Sequence, residues 1–219
     1  LLEWGSVWLE NTLQGVHTDR REDAQLALEV VATLAADLPL PVSAHQACNR
    51  LVEAFRCSRV ALGVVHGMQV RVEALSNQVQ FDRRLDRILR IRAAMEECID
   101  QEQQVCLPGK FGVGRGLTRA HSRLLEIDHT AVVCSQPILL DGQAIGAFTL
   151  IWEDDAVDSV ATSRIADIAR QIAPVLALKQ REGHSVWRRG RVRLRAGLGR
   201  LFGHGFLKTK LVVGLGVLL

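Results

Sequence analysis

The sequence predicts an α+β domain, an antiparallel sheet of about five to six strands flanked by helices. Three observations lead there. Long segments carry apolar residues at three- and four-residue spacing. Between them stand short runs that are either continuously apolar or strictly alternating. Two of those runs are joined directly by Asp141-Gly142, a tight-turn pair, so strands pair as hairpins instead of alternating one by one with helices.

Residues 1–22 hold Trp4 and Trp8 and end in charge, which reads as a short helix or extended arm followed by a linker. Ala27, Val31, Leu34 and Leu38 then mark one face of a helix that "LPLP" at 38–41 stops. Ser43 is placed to cap a second helix, 44–55, with Ala47, Leu51 and Phe55 inward. "SRVALGVVH" (58–66) suits a strand covered on both faces, and "QVRVEALS" (69–76) a strand with one wet face after a Gly67-Met68 turn.

Residues 81–102 read as a helix with Leu85, Ile88, Leu89, Met95 and Ile99 toward the core. Its arginines, Arg83, Arg84, Arg87, Arg90 and Arg92, form a solvated face partly paired with Glu96, Glu97 and Asp100. A short strand (103–109), the glycine-rich stretch "GKFGVGRG" (109–116) and a helix over 117–126 follow. Pro137 marks a bulge, strand end or edge position in the hairpin. The domain closes with a helix over about 159–182, which Pro174 should kink or divide.

Composition narrows function. Of the 219 residues, 48% are hydrophobic, tyrosine is absent and aromatics make up 5%, which argues against base-stacking platforms for single-stranded nucleic acid. Eight of the 27 basic residues and none of the 24 acidic ones follow residue 186, so residues 1–186 carry −5 and the remainder +8. The positive charge is thus local, and no nucleic-acid partner is expected. Cys48, Cys57, Cys98, Cys106 and Cys134 are odd in number and lack C-x-x-C spacing; buried reduced thiols in a cytoplasmic setting are the reading.

"QPILLDGQAIGAFTLIW" followed by "SVATSRIADIARQIAPVLALK" resembles the closing strands and last helix of GAF domains, and the helix before "SRVALGVV" is similar to their opening. The resemblance covers roughly residues 24–182 and implies a sensory or regulatory module. The cyclic-nucleotide pattern of some members is only partly present at Asn77, Phe81 and Asp82, and no cysteine is placed for bilin attachment, so no cofactor is expected. One enzymatic branch reduces methionine sulfoxide with pocket cysteines, for which Cys98 and Cys106 are the nearest candidates. A nucleophile built from His121 or His129 with Cys134 is disfavoured, because Cys134 sits in an apolar strand. The expectation is a domain without catalytic activity.

Lys110 and Arg115 in the glycine-rich stretch, with Arg92, are the expected contacts for an anionic small molecule in a pocket between the sheet and residues 81–129. The helices over 24–38 and 159–182 offer a homodimer face. Beyond residue 183, a basic amphipathic segment (184–207) and the apolar run Leu211–Leu219 read as a membrane-surface collar and the start of a transmembrane helix (208–219) cut short; a core strand or interfacial helix is the alternative. Arg188, Arg189, Arg191, Arg193, Arg195, Arg200, Lys208 and Lys210 would face an anionic leaflet and keep the domain cytoplasmic, anchored to the inner membrane by one outgoing helix. This layout is similar to the N-terminal part of GAF-containing HlyD-type membrane fusion proteins, adaptors of secretion and efflux. The alternative is the input module of a membrane-tethered signalling protein, a histidine kinase or cyclase.

Overall fold

The computed structural model describes residues 22–108, 116–126, 130–154, 161 and 163–182. The chain divides into two units at Lys179/Gln180; the first is described below, and of the second only residues 180–182, which are helical.

The first unit contains helices α1 (22–35), α2 (Leu40–Phe55), α3 (Asp86–Asp100), α4 (Arg119–Leu125) and α5 (from 163), and strands β1 (Arg59–His66), β2 (Gln69–Leu75), β3 (Val105–Leu107), β4 (Val132–Leu140) and β5 (Gln143–Trp152). The five strands form one antiparallel sheet in the order β2-β1-β5-β4-β3. Both hairpins follow from their turn residues. Asp141 (φ 51°) and Gly142 (φ 78°) adopt the left-handed conformation that matches strand twist, and Gly67 (φ 63°) does so between β1 and β2. β1 joins β5 across a long crossover, and there the backbones run close. A Cβ on Gly146 would lie 2.5 Å from the Gly63 carbonyl oxygen, so only glycine fits.

The pleat sends alternate side chains to two separate cores. One face, with Val60, Leu62, Phe148, Leu150 and Trp152, packs on α1, α2 and α5 through Val30, Leu34, Leu51, Ile168 and Ile172. The Trp152 indole N–H donates to the Phe55 carbonyl (3.1 Å), which satisfies it inside that core. The other face, with Ala61, Val72, Val133, Ala147 and Ile151, packs on α3 and α4 through Ile88, Ile91, Met95, Cys98 and Leu124.

Several local expectations shift. α2 starts at Leu40 with Pro41 in its first turn, where a missing N–H costs nothing, and Ser43 lies inside the helix with its hydroxyl on the Leu40 carbonyl instead of capping. α3 starts at Asp86, because residues 82–85 close a turn around the Asp82 side chain, which accepts from the Arg84 N–H at 2.9 Å. Its inner stripe is Ile88, Ile91, Met95 and Cys98, whereas Leu85 and Leu89 are exposed. α5 is helical through Pro174, an exposed position. β3 pairs β4 only from Val133 to Ser135, so β4 has an open side in these strands beyond that point, and Pro137 sits there.

The thiol expectation is also corrected. Cys106 and Cys134 stand directly opposite one another in the β3–β4 ladder, Cα atoms 4.1 Å apart, and are joined as a disulfide; Cys48, Cys57 and Cys98 are free and buried. Register, not sequence spacing, brings the pair together.

Candidate functional site

α4 has only seven residues, and its own N-cap residue, Thr118, makes no side-chain cap hydrogen bond. The cap comes from α3 instead. One carboxylate oxygen of Glu97 accepts the Ala120 N–H at 2.7 Å; the other accepts the His121 N–H at 3.3 Å and lies 2.7 Å from His121 Nδ1. Glu97 therefore serves two of the first-turn amides of α4 and one imidazole nitrogen, and its charge suits the positive end of the helix. At the other end the Arg90 guanidinium, paired with Asp86 at 2.7 Å, donates to the Arg123 carbonyl at 2.9 Å. α3 thus grips α4 at both ends with charges that complement its dipole.

His121 is fully buried. The carboxylate fixes its proton on Nδ1, leaving Nε2 as a lone-pair acceptor without a hydrogen-bond partner. Burial lowers the imidazole pKa, and the Glu97 hydrogen bond and charge offset that only in part. Beside this pair, Gln101 Nε2 donates to the Glu97 carbonyl (2.9 Å) and to the Leu117 carbonyl (2.8 Å), and Gln103 donates to Gln101 at 3.3 Å. Gly116 lies against the Gln101 carboxamide so closely that any Cβ would overlap it. A polar cluster at the end of α3 therefore fixes the chain where it enters α4.

The expected pocket between sheet and α3 is filled at its centre. Met95 is fully buried and lies against Gly63, where a Cβ would collide with its sulfur. On the same sheet face, the Ser135 and Thr149 hydroxyls bond each other at 2.9 Å. A surface groove of about 290 Å³ lies elsewhere, between α1 and α5, lined by Asp23, Ala24, Arg164, Asp167, Ile168 and Gln171; its Asp23 and Arg164 pair with each other.

Arg92 lies on α3, half-buried, 3.6 Å from Glu96, whose carboxylate accepts the Val70 N–H at 3.1 Å. Lys110, Arg115 and His129 lie outside the described residues, as do Arg188, Arg189, Arg191, Arg193, Arg195, Arg200, Lys208 and Lys210. Among the described residues no helix is long and apolar enough to cross a membrane, and no group of three His, Cys, Asp or Glu side chains is placed to hold a metal ion. Burial pushes the thiol pKa of Cys57 up to about 12 and raises those of Cys48 and Cys98 as well, so none of the three is a ready nucleophile.

The sequence did not mark Glu97 and His121 as partners. They are 24 residues apart, and Glu97 read as part of a solvated face.

No family model and no curated protein matches the chain. Solved structures do. A GAF domain from A. aeolicus in an inactive state superposes with a TM-score of 0.51 at 12% identity, over 73% of this chain and 98% of that one. The phycoerythrobilin-bound GAF domain of a cyanobacterial phytochrome gives 0.52 at 13% identity, over 74% and 98%. A free methionine-R-sulfoxide reductase from Neisseria meningitidis, in complex with its substrate, gives 0.52 at 10% identity, over 73% and 91%. This last likeness overturns the expectation of a non-catalytic chain as a deduction from fold, because the same architecture carries an enzyme. At such identities the likeness establishes architecture: the described domain has the GAF fold.

Proposed function

We propose that this chain is a sensory or regulatory GAF domain whose responsive part is α4. The observation that supports this most is how α4 is attached. A seven-residue helix is too short to persist alone, and this one is held on α3 by Glu97 at its start and Arg90 at its end. Segments that move on ligand binding are drawn from short elements held by a few discrete contacts. The ligand is a small anion approached by Arg92, Lys110 and Arg115. The test is hydrogen exchange of residues 119–125 against a panel of nucleotides and carboxylate metabolites. A ligand that slows exchange there supports the reading; a panel with no effect on α4 counts against it.

In the wider assignment the domain is cytoplasmic and forms the N-terminal part of a HlyD-type membrane fusion protein. The basic segment 184–207 lies on anionic lipid, and α1 and α5 form a homodimer bundle. The order of a GAF-like segment, a collar of eight cations and an apolar run supports it. The input module of a membrane-tethered histidine kinase or cyclase is the alternative. A reporter fused after residue 183 should be active in the cytoplasm; activity outside would sink both versions.

A second reading, thiol-dependent reduction of free methionine sulfoxide, is favoured by the Cys106–Cys134 pair. Absence of turnover with a dithiol reductant, or turnover unchanged in Cys106→Ser, would end it.

A further inference from the structure

We propose that Cys106–Cys134 is a reversible thiol–disulfide site whose redox state sets whether β3 stays seated on the sheet. The inference rests on the cytoplasmic reading above in one respect: disulfides in that compartment are mostly transient and redox-responsive, not permanent staples.

β3 is three residues long, lies at the sheet edge, and pairs with β4 at three positions, of which the central one is the cystine. So short an edge strand holds poorly by ladder hydrogen bonds alone. The bond is the covalent part of its attachment, and it joins positions 28 apart in sequence with α4 between them. α4 has its own attachment to α3 through Glu97 and Arg90, independent of the cystine. Breaking the bond therefore releases β3 while leaving α4 tethered, which defines two discrete states of one element.

The chemistry is simple exchange. A thiolate of a small thiol reductant attacks one sulfur of the cystine, forms a mixed disulfide and expels the other cysteine as a thiolate, which takes up a proton. A second reductant thiol then attacks the mixed disulfide, leaving two cysteine thiols and one oxidised reductant. Both cysteines are almost fully buried, at 2% and 1% exposure, so attack follows lifting of the edge strand. Cys48, Cys57 and Cys98 do not compete, since burial keeps each protonated.

The test is a titration of the purified 219-residue chain in reduced and oxidised glutathione, without denaturant, followed by acid quench and maleimide labelling of the unfolded protein. Three labelled thiols are expected in oxidised buffer and all five in reduced buffer, reversibly. Amide exchange at residues 105–107 and 133–135 should quicken by about tenfold or more on reduction, while α2 is unchanged. A cystine that yields only in denaturant, or one that reduces with no change at 105–107, overturns the proposal. Because the purified chain is used, such a failure removes the redox site and leaves the cytoplasmic reading to its own reporter test.

Discussion

Replacing Glu97 by alanine removes the acceptor for three donors at once: the Ala120 N–H, the His121 N–H and the His121 ring N–H. The ring is fully buried, so its N–H finds no water in exchange. A buried donor left unpaired costs about 1–3 kcal/mol. Loss of an N-terminal cap costs about 1 kcal/mol more, because the two amides gain partial access to solvent. The expected destabilisation is therefore about 3 kcal/mol. In a domain of this size that lowers the melting temperature by roughly 6–12 °C, at about 2–4 °C per kcal/mol. Glu97→Gln keeps one acceptor oxygen but sets an NH₂ against an N–H, and should fall between alanine and the natural residue. Glu53 supplies the control. It pairs with Arg50 at 3.6 Å with both side chains exposed, and Glu53→Ala should shift stability by less than about 0.5 kcal/mol. Urea denaturation with unchanged slope reads the global effect, and hydrogen exchange at 119–125 reads the local one. A Glu97→Ala protein within about 0.5 kcal/mol of the parent would show that α4 is held by apolar packing through Leu124 and not by the carboxylate.

The same junction predicts a pH response. His121 titrates below its unfolded value, near 6.5, so its contribution is fully present above that pH and is lost as pH falls toward the lowered folded value, where the unfolded chain binds more protons. Stability should decline as pH falls below about 6.5, and His121→Gln should flatten that part of the profile; an unchanged profile would remove the imidazole from the account. Gly146→Ala should cost about 2 kcal/mol or more in denaturation, because its methyl group would meet the Gly63 backbone, which cannot yield as a flexible side chain would; a neutral change would refute the close approach. For the homodimer, Leu28 on α1 and Leu178 on α5 are 66% and 58% exposed. Leu28→Glu with Leu178→Glu should turn a dimer into a monomer by light scattering, and a parent chain that is already monomeric would dispose of the dimer.

What was legible in the sequence was local. The Asp141-Gly142 turn is written in two adjacent residues that tolerate positive φ, and β4 and β5 extend from it as nearly continuous apolar runs. α2 and β1 are likewise set by neighbours in the chain. The α3 stripe was harder. Leu85, Ile88, Leu89, Ile91, Met95, Cys98 and Ile99 cover more than one face, and only contact with the sheet decides that Ile91 turns in and Leu89 out. Pattern alone cannot choose between overlapping stripes when a second helix packs on the flank.

The same reasoning explains why the two features with most functional content escaped it. A charged residue on a helix reads as solvated because most are, yet Glu97 is only 11% exposed in its side chain because α4 brings it three donors. Cys106 and Cys134 read as separate reduced thiols because nothing in a 28-residue separation encodes their opposition; the β3–β4 register does. Both features close on the same part of the chain. The cystine fixes β3, before residue 108, and Glu97 with Gln101 fixes the backbone from Leu117 to His121. β3 and the start of α4 are therefore held by one covalent and one polar attachment respectively, which respond to different conditions: reduction for the first, acid for the second. Loss of either should raise exchange on its own side only, and a Glu97→Ala protein in which β3 also loosens would show that the two attachments act as one.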